Sequence, residues 1–248
     1  MLRRRKGLPD GWVAIVEQRV AVWNLLDDDE RARVEDAGDW LLRHKHWEAA
    51  NGFALNDEIK VTIAVQAALL VLGLHVDEYR EVSAIVVYPT TMQSRGVYAG
   101  PVPGTVTDEV IPVLGEAHDE RGPVLLAWDQ AEHAARNPGS GHNVVFHEFA
   151  HKLDMRDAIV DGTPRMERGD IAEWVEVCTE AYNALEAGID RPPLQAYGAT
   201  NPAEFFAVTT EAFFDVPEAL ELNEPRLYEV MRHFFEQDPA ARARRRPA

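Results

Sequence analysis

The sequence predicts an α+β fold with a helical N-terminal layer, a small mixed sheet and a helical C-terminal part. Apolar residues recur at spacings of three and four across residues 12–50, which is the period of a helix buried on one side. From Ser83 to Trp128 the pattern changes to short β-branched runs bounded by glycine and proline. Helix-forming residues then dominate to the end of the chain, so one sheet is expected between two helical regions.

The N-terminal layer is predicted to contain three helices. The first carries the apolar side chains from Val13 to Leu26, and the acidic run that starts at Asp27 supplies an N-cap for the second. Residues 56–74 predict a third helix. Its apolar stretch, residues 61–76, is too short and too often interrupted by polar side chains to cross a bilayer, which favours a buried core helix.

Four segments have the composition of strands, and helices are expected after them. These segments are Ala84–Tyr88, Gly96–Ala99, Val110–Leu114 and Val124–Trp128.

The charge of the chain argues against two classes of partner. The 25 Lys and Arg side chains against 42 Asp and Glu give a net charge of -17, which repels nucleic acid and anionic membrane surfaces. The basic residues at the two ends, Arg3–Lys6 and those between Arg242 and Arg246, are expected to be solvated tails. A single cysteine, Cys178, excludes an internal disulfide, and no signal peptide follows the basic start, so we expect a cytoplasmic protein.

Residues 147–151 read His-Glu-Phe-Ala-His and give the clearest chemical signal. On a helix, His147 and His151 lie one turn apart and can direct both imidazoles at one metal ion, for which zinc is the best match. Glu148 would lie beside that ion, where a carboxylate can accept a proton from a metal-bound water. The apolar surroundings favour this interpretation, because burying Glu148 without a metal or partner is costly. The alternative is a helix whose histidines are ordinary core or surface residues.

A catalytic zinc needs a third protein ligand, and two downstream glutamates are candidates. Asn201 followed by Pro202 predicts an N-cap and a first helical position, which places Glu204 in the first turn and Glu211 two turns later on the same face. Glu204 could instead cap its own helix, and Glu211 could orient a ligand imidazole without touching the metal. The residues leave this choice open.

These two motifs resemble those of the Mlc titration factor A family of bacterial zinc-dependent peptidases. The resemblance rests on the run 143–155, with its core H-E-F-A-H-K-L-D-M, and on N-P-A-E-F-F-A-V at 201–208; it extends loosely over most of the chain. It implies a zincin-like metallopeptidase fold whose active-site helix carries residues 147–151. It also implies one zinc ion per chain on two histidines and a glutamate, similar to the catalytic centre of anthrax lethal factor.

The resemblance also bears on the third ligand. In the lethal factor arrangement a tyrosine stands seven residues before the glutamate ligand, as Tyr197 stands before Glu204, and this favours Glu204. Against it, Glu211 and Asp215 have the E-x-x-x-D form of thermolysin-like gluzincins.

The implied activity is an aminopeptidase-like hydrolysis of peptides. Glu148 would act as general base and Tyr197 would donate a hydrogen bond to the oxyanion, although Tyr197 could also be an ordinary aromatic beside a turn. The edge of the strand Val124–Trp128 is a candidate place for a peptide to add as an extra strand.

A regulatory binding protein is the alternative function, because the family is named for titrating the repressor Mlc. Sequestering a transcriptional repressor of that type would make catalysis secondary. A purely structural zinc is disfavoured because the cysteine ligands typical of such sites are missing from the motif.

For each function we expect a single metallopeptidase domain over residues 1–248: a helical part over about 10–80, a sheet and zinc-site part over about 81–238, and a basic tail over 239–248.

Overall fold

The computed structural model describes residues 7–50, 52–90, 122–157 and 159–245, together with four two-residue strands between residues 93 and 112. The α-helices of this part of the chain are α1 Trp12–Arg19, α2 Asp28–His44, α3 Asp57–Leu70, α4 Trp128–Arg136, α5 Val144–Asp154, α6 Ile171–Glu186, α7 Pro202–Asp215, α8 Pro217–Asn223, α9 Pro225–Phe235 and α10 Pro239–Arg244. Short 3-10 helices cover Ala21–Leu25, Val76–Tyr79, Met155–Asp157 and Ala196–Ala199. The α+β class predicted from the sequence is confirmed.

The main sheet has three parallel strands in the order β1-β2-β7. Its strands are β1 His46–Ala49, β2 Ala84–Tyr88 and β7 Val124–Ala127. Two antiparallel pairs lie apart from it: β3 Gln93–Ser94 with β6 Ile111–Pro112, and β4 Tyr98–Ala99 with β5 Val106–Thr107. The sheet is as small as predicted, but its three strands are parallel, because α3 crosses over between β1 and β2 and brings the chain back in the same direction.

One segment of the predicted helical layer is a strand. Residues 46–49 form β1, which pairs with β2 from His46 opposite Ala84 onward. At the start of β1, the Lys45 ammonium donates hydrogen bonds to the carbonyls of Tyr79 (2.5 Å) and Val82 (2.8 Å), which holds this end of the strand beside β2. The helical expectation fails here because this pairing is non-local and overrides the local pattern.

The remaining strand predictions have mixed outcomes. β2 and β7 are confirmed, with Trp128 beginning α4 rather than ending β7. The segments predicted over 96–99 and 110–114 contain β4 and β6, and residues 96, 97, 110, 113 and 114 lie outside the described residues.

The second and third predicted helices are confirmed as α2 and α3, whereas the first ends at Arg19 and the 3-10 helix Ala21–Leu25 follows it. Asp27 caps α2 in a reciprocal capping box, because its Oδ1 accepts from the Glu30 N–H (2.9 Å) and Glu30 Oε2 accepts from the Asp27 N–H (3.0 Å). α3 lies at the centre of the core, in contact with α1, α2, α4 and α5. Within the residues that the structure describes, no helix is long and apolar enough to cross a membrane.

The expected solvated tail at the C-terminus is a docked helix instead. In α10 the side chain of Arg242 is buried, and its Nε and Nη2 donate to Glu30 Oε1 at 3.0 and 2.9 Å. Arg245 pairs with Asp27 at 3.0 Å. The prediction of a solvated residue is therefore wrong for Arg242, which meets an acidic partner on α2, whereas Arg244 and Arg245 are about half exposed. Arg246 and the basic residues 3–6 lie outside the described residues.

A tight loop contact joins the end of α5 to the start of α7. The Gly162 N–H donates to Asp154 Oδ2 (3.0 Å), and its carbonyl accepts from Trp174 Nε1 (3.2 Å). Gly162 has φ +75°, and a Cβ at this position would lie 2.3 Å from the carbonyl oxygen of Pro202. Both the backbone conformation and the space therefore require glycine.

Gly162→Ala is expected to lower the free energy of unfolding by about 2 kcal/mol or more, because the left-handed backbone alone costs an L-residue about 1–2 kcal/mol and the Cβ displaces the start of α7. Chemical denaturation measures this. The matched control is Gly169→Ala, where an added Cβ meets no atom within 4 Å and the backbone is not left-handed. Equal losses in the two variants would contradict this account of the loop.

Candidate metal centre

α5 carries the His-Glu-x-x-His motif and begins at a firm N-cap. Asn143 Oδ1 accepts from the N–H groups of Val145 (3.0 Å) and Phe146 (3.1 Å), which satisfies two free donors at the helix start. Val145, Phe149 and Leu153 are buried in the core. The motif is therefore helical, as predicted, and its polar residues lie together beside α7.

Three possible ligand atoms converge between α5 and α7. Nε2 of His147 lies 3.2 Å from Nε2 of His151 and 3.0 Å from Oε2 of Glu204. The distance from His151 Nε2 to the same oxygen is 3.6 Å. The three side chains are only 15–16% exposed, so the cluster is largely shielded from solvent.

The dimensions of this cluster fit a tetrahedral metal ion. Bonds of about 2.0–2.1 Å to zinc place neighbouring ligand atoms about 3.3 Å apart, close to the three separations found. Glu204 Oε2 is buried and lies against the two imidazole nitrogens without a hydrogen bond of good geometry in the described part of the chain, an arrangement that a shared cation would complete. Among the residues that the structure describes, His147, His151 and Glu204 are the group suited to holding a metal.

The electrostatics of the cluster indicate a place for positive charge. Burial alone would lower the pKa of His147, but the carboxylates of Glu204 and Glu211 raise it to about 10. Burial alone would raise the pKa of Glu204, but His147 and His151 hold it well below its ordinary range. A proton on His147 therefore balances these carboxylates here, and a divalent cation would balance them by displacing that proton.

Glu148 lies beside the cluster without forming part of it. Burial raises the pKa of its carboxyl group, and the neighbouring His147 and His151 oppose that rise. A partly buried carboxylate beside this cluster is in the position expected for a proton acceptor.

Glu211 contacts the opposite side of the His147 ring. Its Oε1 lies 2.7 Å from His147 Nδ1, and its Oε2 accepts from the backbone N–H of Asn143 (2.6 Å). The structure thus brings Glu204 to Nε2 and Glu211 to Nδ1 of one imidazole. A carboxylate on Nδ1 fixes the orientation of the ring and makes the other nitrogen a better metal ligand.

Further polar residues support the start of α5. Asp215, one turn after Glu211, accepts from the N–H groups of Gly139 (3.0 Å) and Gly141 (2.6 Å). Asn143 Nδ2 donates to Gln66 Oε1 on α3 (3.0 Å). The sequence offered a signal for Asp215 in its four-residue spacing from Glu211, and for Asn143 in its N-cap position. No local pattern indicated Gln66, because it lies in an otherwise apolar helix.

Tyr197 lies at the edge of the cluster, in the 3-10 turn Ala196–Ala199 just before α7. Its ring centroid is 6.1 Å from that of His147, and the residue is 55% exposed. Partial burial of the phenol, together with the carboxylates of Glu204 and Glu148, raises the pKa of Tyr197 to about 12. The hydroxyl therefore stays protonated at neutral pH and can donate a hydrogen bond.

His147, Glu148 and His151 of α5 face Glu204 of α7. Two histidines and a glutamate on one helix opposite a glutamate of a second helix are the arrangement typical of a metallopeptidase centre. The profile of the glucose-regulated metallo-peptidase M90 family matches residues 1–236. A Synechocystis protein of uncharacterised function is 35% identical over 239 residues, 95% of this chain and 86% of its own length. Mlc titration factor A of Enterobacter sp. strain 638 is 31% identical over 88% of this chain and 83% of its own, and that of Yersinia pestis is 30% identical over 89% and 82%.

The chain belongs to the glucose-regulated metallo-peptidase M90 family, the family of the Mlc titration factor A proteins. The resemblance inferred from its two motifs is confirmed. Membership indicates a metallopeptidase, which implies a bound metal ion.

Proposed function

We propose that the protein is a zinc-dependent peptidase in which His147, His151 and Glu204 hold one zinc ion and Glu148 is the general base. The observation that carries the proposal is the convergence of the three ligand atoms, 3.0–3.6 Å apart, beside the partly buried Glu148. Zinc is the metal of choice because two imidazoles and one carboxylate match the ligands of its catalytic sites.

The contacts of the two α7 carboxylates support Glu204 as the third ligand. Glu204 Oε2 has the two Nε2 atoms as its polar neighbours, at 3.0 and 3.6 Å, and no backbone N–H among the described residues engages it. Glu211 has both carboxylate oxygens engaged, by His147 Nδ1 and by the Asn143 N–H. Glu211 thus serves as a positioning residue for His147.

In the proposed mechanism, zinc when bound lowers the pKa of water and polarises the peptide carbonyl. Glu148 accepts the proton of the attacking water and transfers it to the leaving amine, so it returns to its carboxylate form. The Tyr197 hydroxyl donates a hydrogen bond to the oxygen of the attacked carbonyl as it gains negative charge. Glu211 keeps the His147 ring in one orientation through Nδ1.

Peptide substrates are proposed to bind along β7. In the described residues β7 is an edge strand of the three-stranded sheet and packs against α5. An extended peptide can hydrogen-bond to such an edge and reach the metal helix. Aminopeptidase-like activity, which the family resemblance implies, requires in addition that a free amino terminus be accepted at the site.

Chelation tests this function. We expect the protein to hydrolyse amino-acid and short-peptide p-nitroanilides, to lose this activity when stripped by a chelator, and to regain it with about one zinc per chain. Hydrolysis of the free substrates but not of their N-acetylated counterparts would support an aminopeptidase. A rate that does not change on removal of all metal would overturn the proposal.

Tyr197→Phe is expected to lower kcat by about 10²-fold, with KM and zinc content little changed, because the phenol acts on the transition state only. Steady-state kinetics and elemental analysis measure both effects. Tyr182→Phe is the matched control, since the ring of Tyr182 packs edge-on against Phe205 and the residue has no role in the proposed mechanism, so kcat should not change. An equal loss in the two variants, or a rise in KM alone, would remove Tyr197 from the mechanism.

A second candidate function comes from the names of two relatives, Mlc titration factor A. In this role the protein would sequester a transcriptional repressor of the Mlc type. Titration of a purified repressor of this type with the Glu148→Gln protein separates the functions, because binding without hydrolysis would make catalysis dispensable for it. Absence of complex formation by both wild type and variant would rule out this role for that repressor.

A further inference from the structure

A second concave site lies at the N-terminal end of α5. It is a cavity of about 540 Å³, and none of the proposed ligands His147, His151 and Glu204 is among the described residues that line it. Most of its wall is apolar. Representative side chains of that wall are Val20, Leu25, Leu69, Phe146 and Phe214. The volume falls in the range of about 300–1,000 Å³ typical of small-molecule sites.

The polar groups in this wall carry a net negative charge. Arg242 lines the cavity, but its guanidinium is bound to Glu30 at 2.9 and 3.0 Å, so its charge is compensated. Asp215 and Glu218 also line it, and neither has a cationic partner among the described residues, although Asp215 accepts from the Gly139 and Gly141 N–H groups and Glu218 is exposed. An apolar cavity whose carboxylates lack a cationic partner favours a ligand with an apolar body and a positively charged hydrogen-bond donor.

Two residues of the cavity wall also support the metal centre. The Asn143 N–H donates to Glu211, whose other oxygen contacts His147 Nδ1. Asp215 binds the Gly139 and Gly141 N–H groups in the loop that leads into α5. A ligand that alters either contact therefore acts on the helix and the imidazole that hold the metal.

We propose that this cavity binds a small apolar amine and that its occupation alters the metal centre through Asn143 and Asp215. The amine is an effector, since the site is distinct from the proposed substrate site. The effect on the metal centre rests on the proposed metal site, whereas the binding of the amine does not.

Binding is tested on metal-free protein with the fluorescent probe N-phenyl-1-naphthylamine, displaced by octylamine, octanol or octanoate. These three share one chain and differ in head group. We expect octylamine to displace the probe at a concentration about tenfold lower than octanoate does, because the carboxylates attract the ammonium and repel the anion. Equal or better displacement by octanoate, or no binding of the probe, would overturn the proposal.

Substitutions that fill the cavity test whether the probe binds there. Ala219 and Val22 line it and are partly exposed, so Ala219→Phe and Val22→Phe fill its volume from two different elements, with circular dichroism checking the fold. Each is expected to weaken probe binding about tenfold or more. Ala32→Phe, at an exposed position of α2 outside the cavity, is the matched control and should bind like wild type. Unchanged binding in both filled variants that fold would overturn the assignment.

Coupling between the cavity and the metal centre is measured on protein loaded with Co²⁺. The visible absorption of this ion reports on the geometry of its ligands. Octylamine is expected to shift these bands in wild type and in Ala32→Phe, and to leave them unchanged in the filled variants. A shift of the bands in all the proteins would mean that the amine coordinates cobalt directly. No shift in wild type would mean that the cavity and the metal centre are independent. Either result would overturn the proposed coupling. Failure to bind any metal would overturn the proposed function while leaving the probe measurements interpretable.

Discussion

Glu148→Gln is expected to abolish peptide hydrolysis while leaving zinc bound. Glutamine has nearly the same shape as glutamate, so the packing of α5 is retained, but its amide cannot accept the proton of the attacking water. Loss of a positioned general base lowers turnover by about 10²–10⁴-fold. The measurement is kcat on a p-nitroanilide substrate together with zinc content, and the zinc content should stay near one ion per chain.

The control for this variant is Glu186→Gln, an exposed position at the end of α6, where turnover should not change. Wild-type turnover in Glu148→Gln would remove Glu148 from the mechanism. Loss of zinc in this variant would show instead that Glu148 helps to hold the metal.

Glu204→Ala is expected to remove zinc from the protein. The variant leaves two imidazoles and no carboxylate at Nε2, which is one ligand short of a catalytic zinc site. Glu211→Ala and Glu211→Gln should weaken zinc affinity only by the about 10–100-fold typical of a group that orients a ligand. Zinc content after dialysis against a competing chelator distinguishes these outcomes.

The two Glu211 variants separate loss of zinc from loss of folding. Glu211 also accepts from the buried Asn143 N–H, so removing its carboxylate leaves a donor unpaired and lowers stability, whereas glutamine retains an acceptor. Zinc that is lost from the folded Glu211→Gln protein but kept by Glu204→Ala would reverse the ligand assignment.

The parts of the site that depend on local spacing could be predicted from the sequence. His147 and His151 share a helix face because they are four residues apart, and Asn201 caps α7 with its Oδ1 on the Glu204 N–H at 2.9 Å. Asp27 likewise caps α2. In each case the interacting residues lie within one helical turn, so the pattern contains the contact.

Contacts between distant segments could not be predicted in this way. Glu204 and Glu211 lie on one face of α7, and only the position of α7 against α5 brings one to Nε2 and the other to Nδ1 of His147. Arg242 looked like a solvated residue because its partner, Glu30, lies near the other end of the chain. β1 was obscured for the same reason, since a strand of four residues depends on its pairing with β2. The division into parts over residues 1–248 stays a prediction.

Anomalous diffraction at the zinc absorption edge, from crystals of the zinc-loaded wild-type protein, tests the central claim most directly. The account predicts one strong peak between α5 and α7, about 2.0–2.2 Å from Nε2 of His147, Nε2 of His151 and a carboxylate oxygen of Glu204. Glu211 should remain on Nδ1 of His147, outside the coordination sphere. A peak bound by Glu211 in place of Glu204, or a peak that lacks either histidine, would contradict the account.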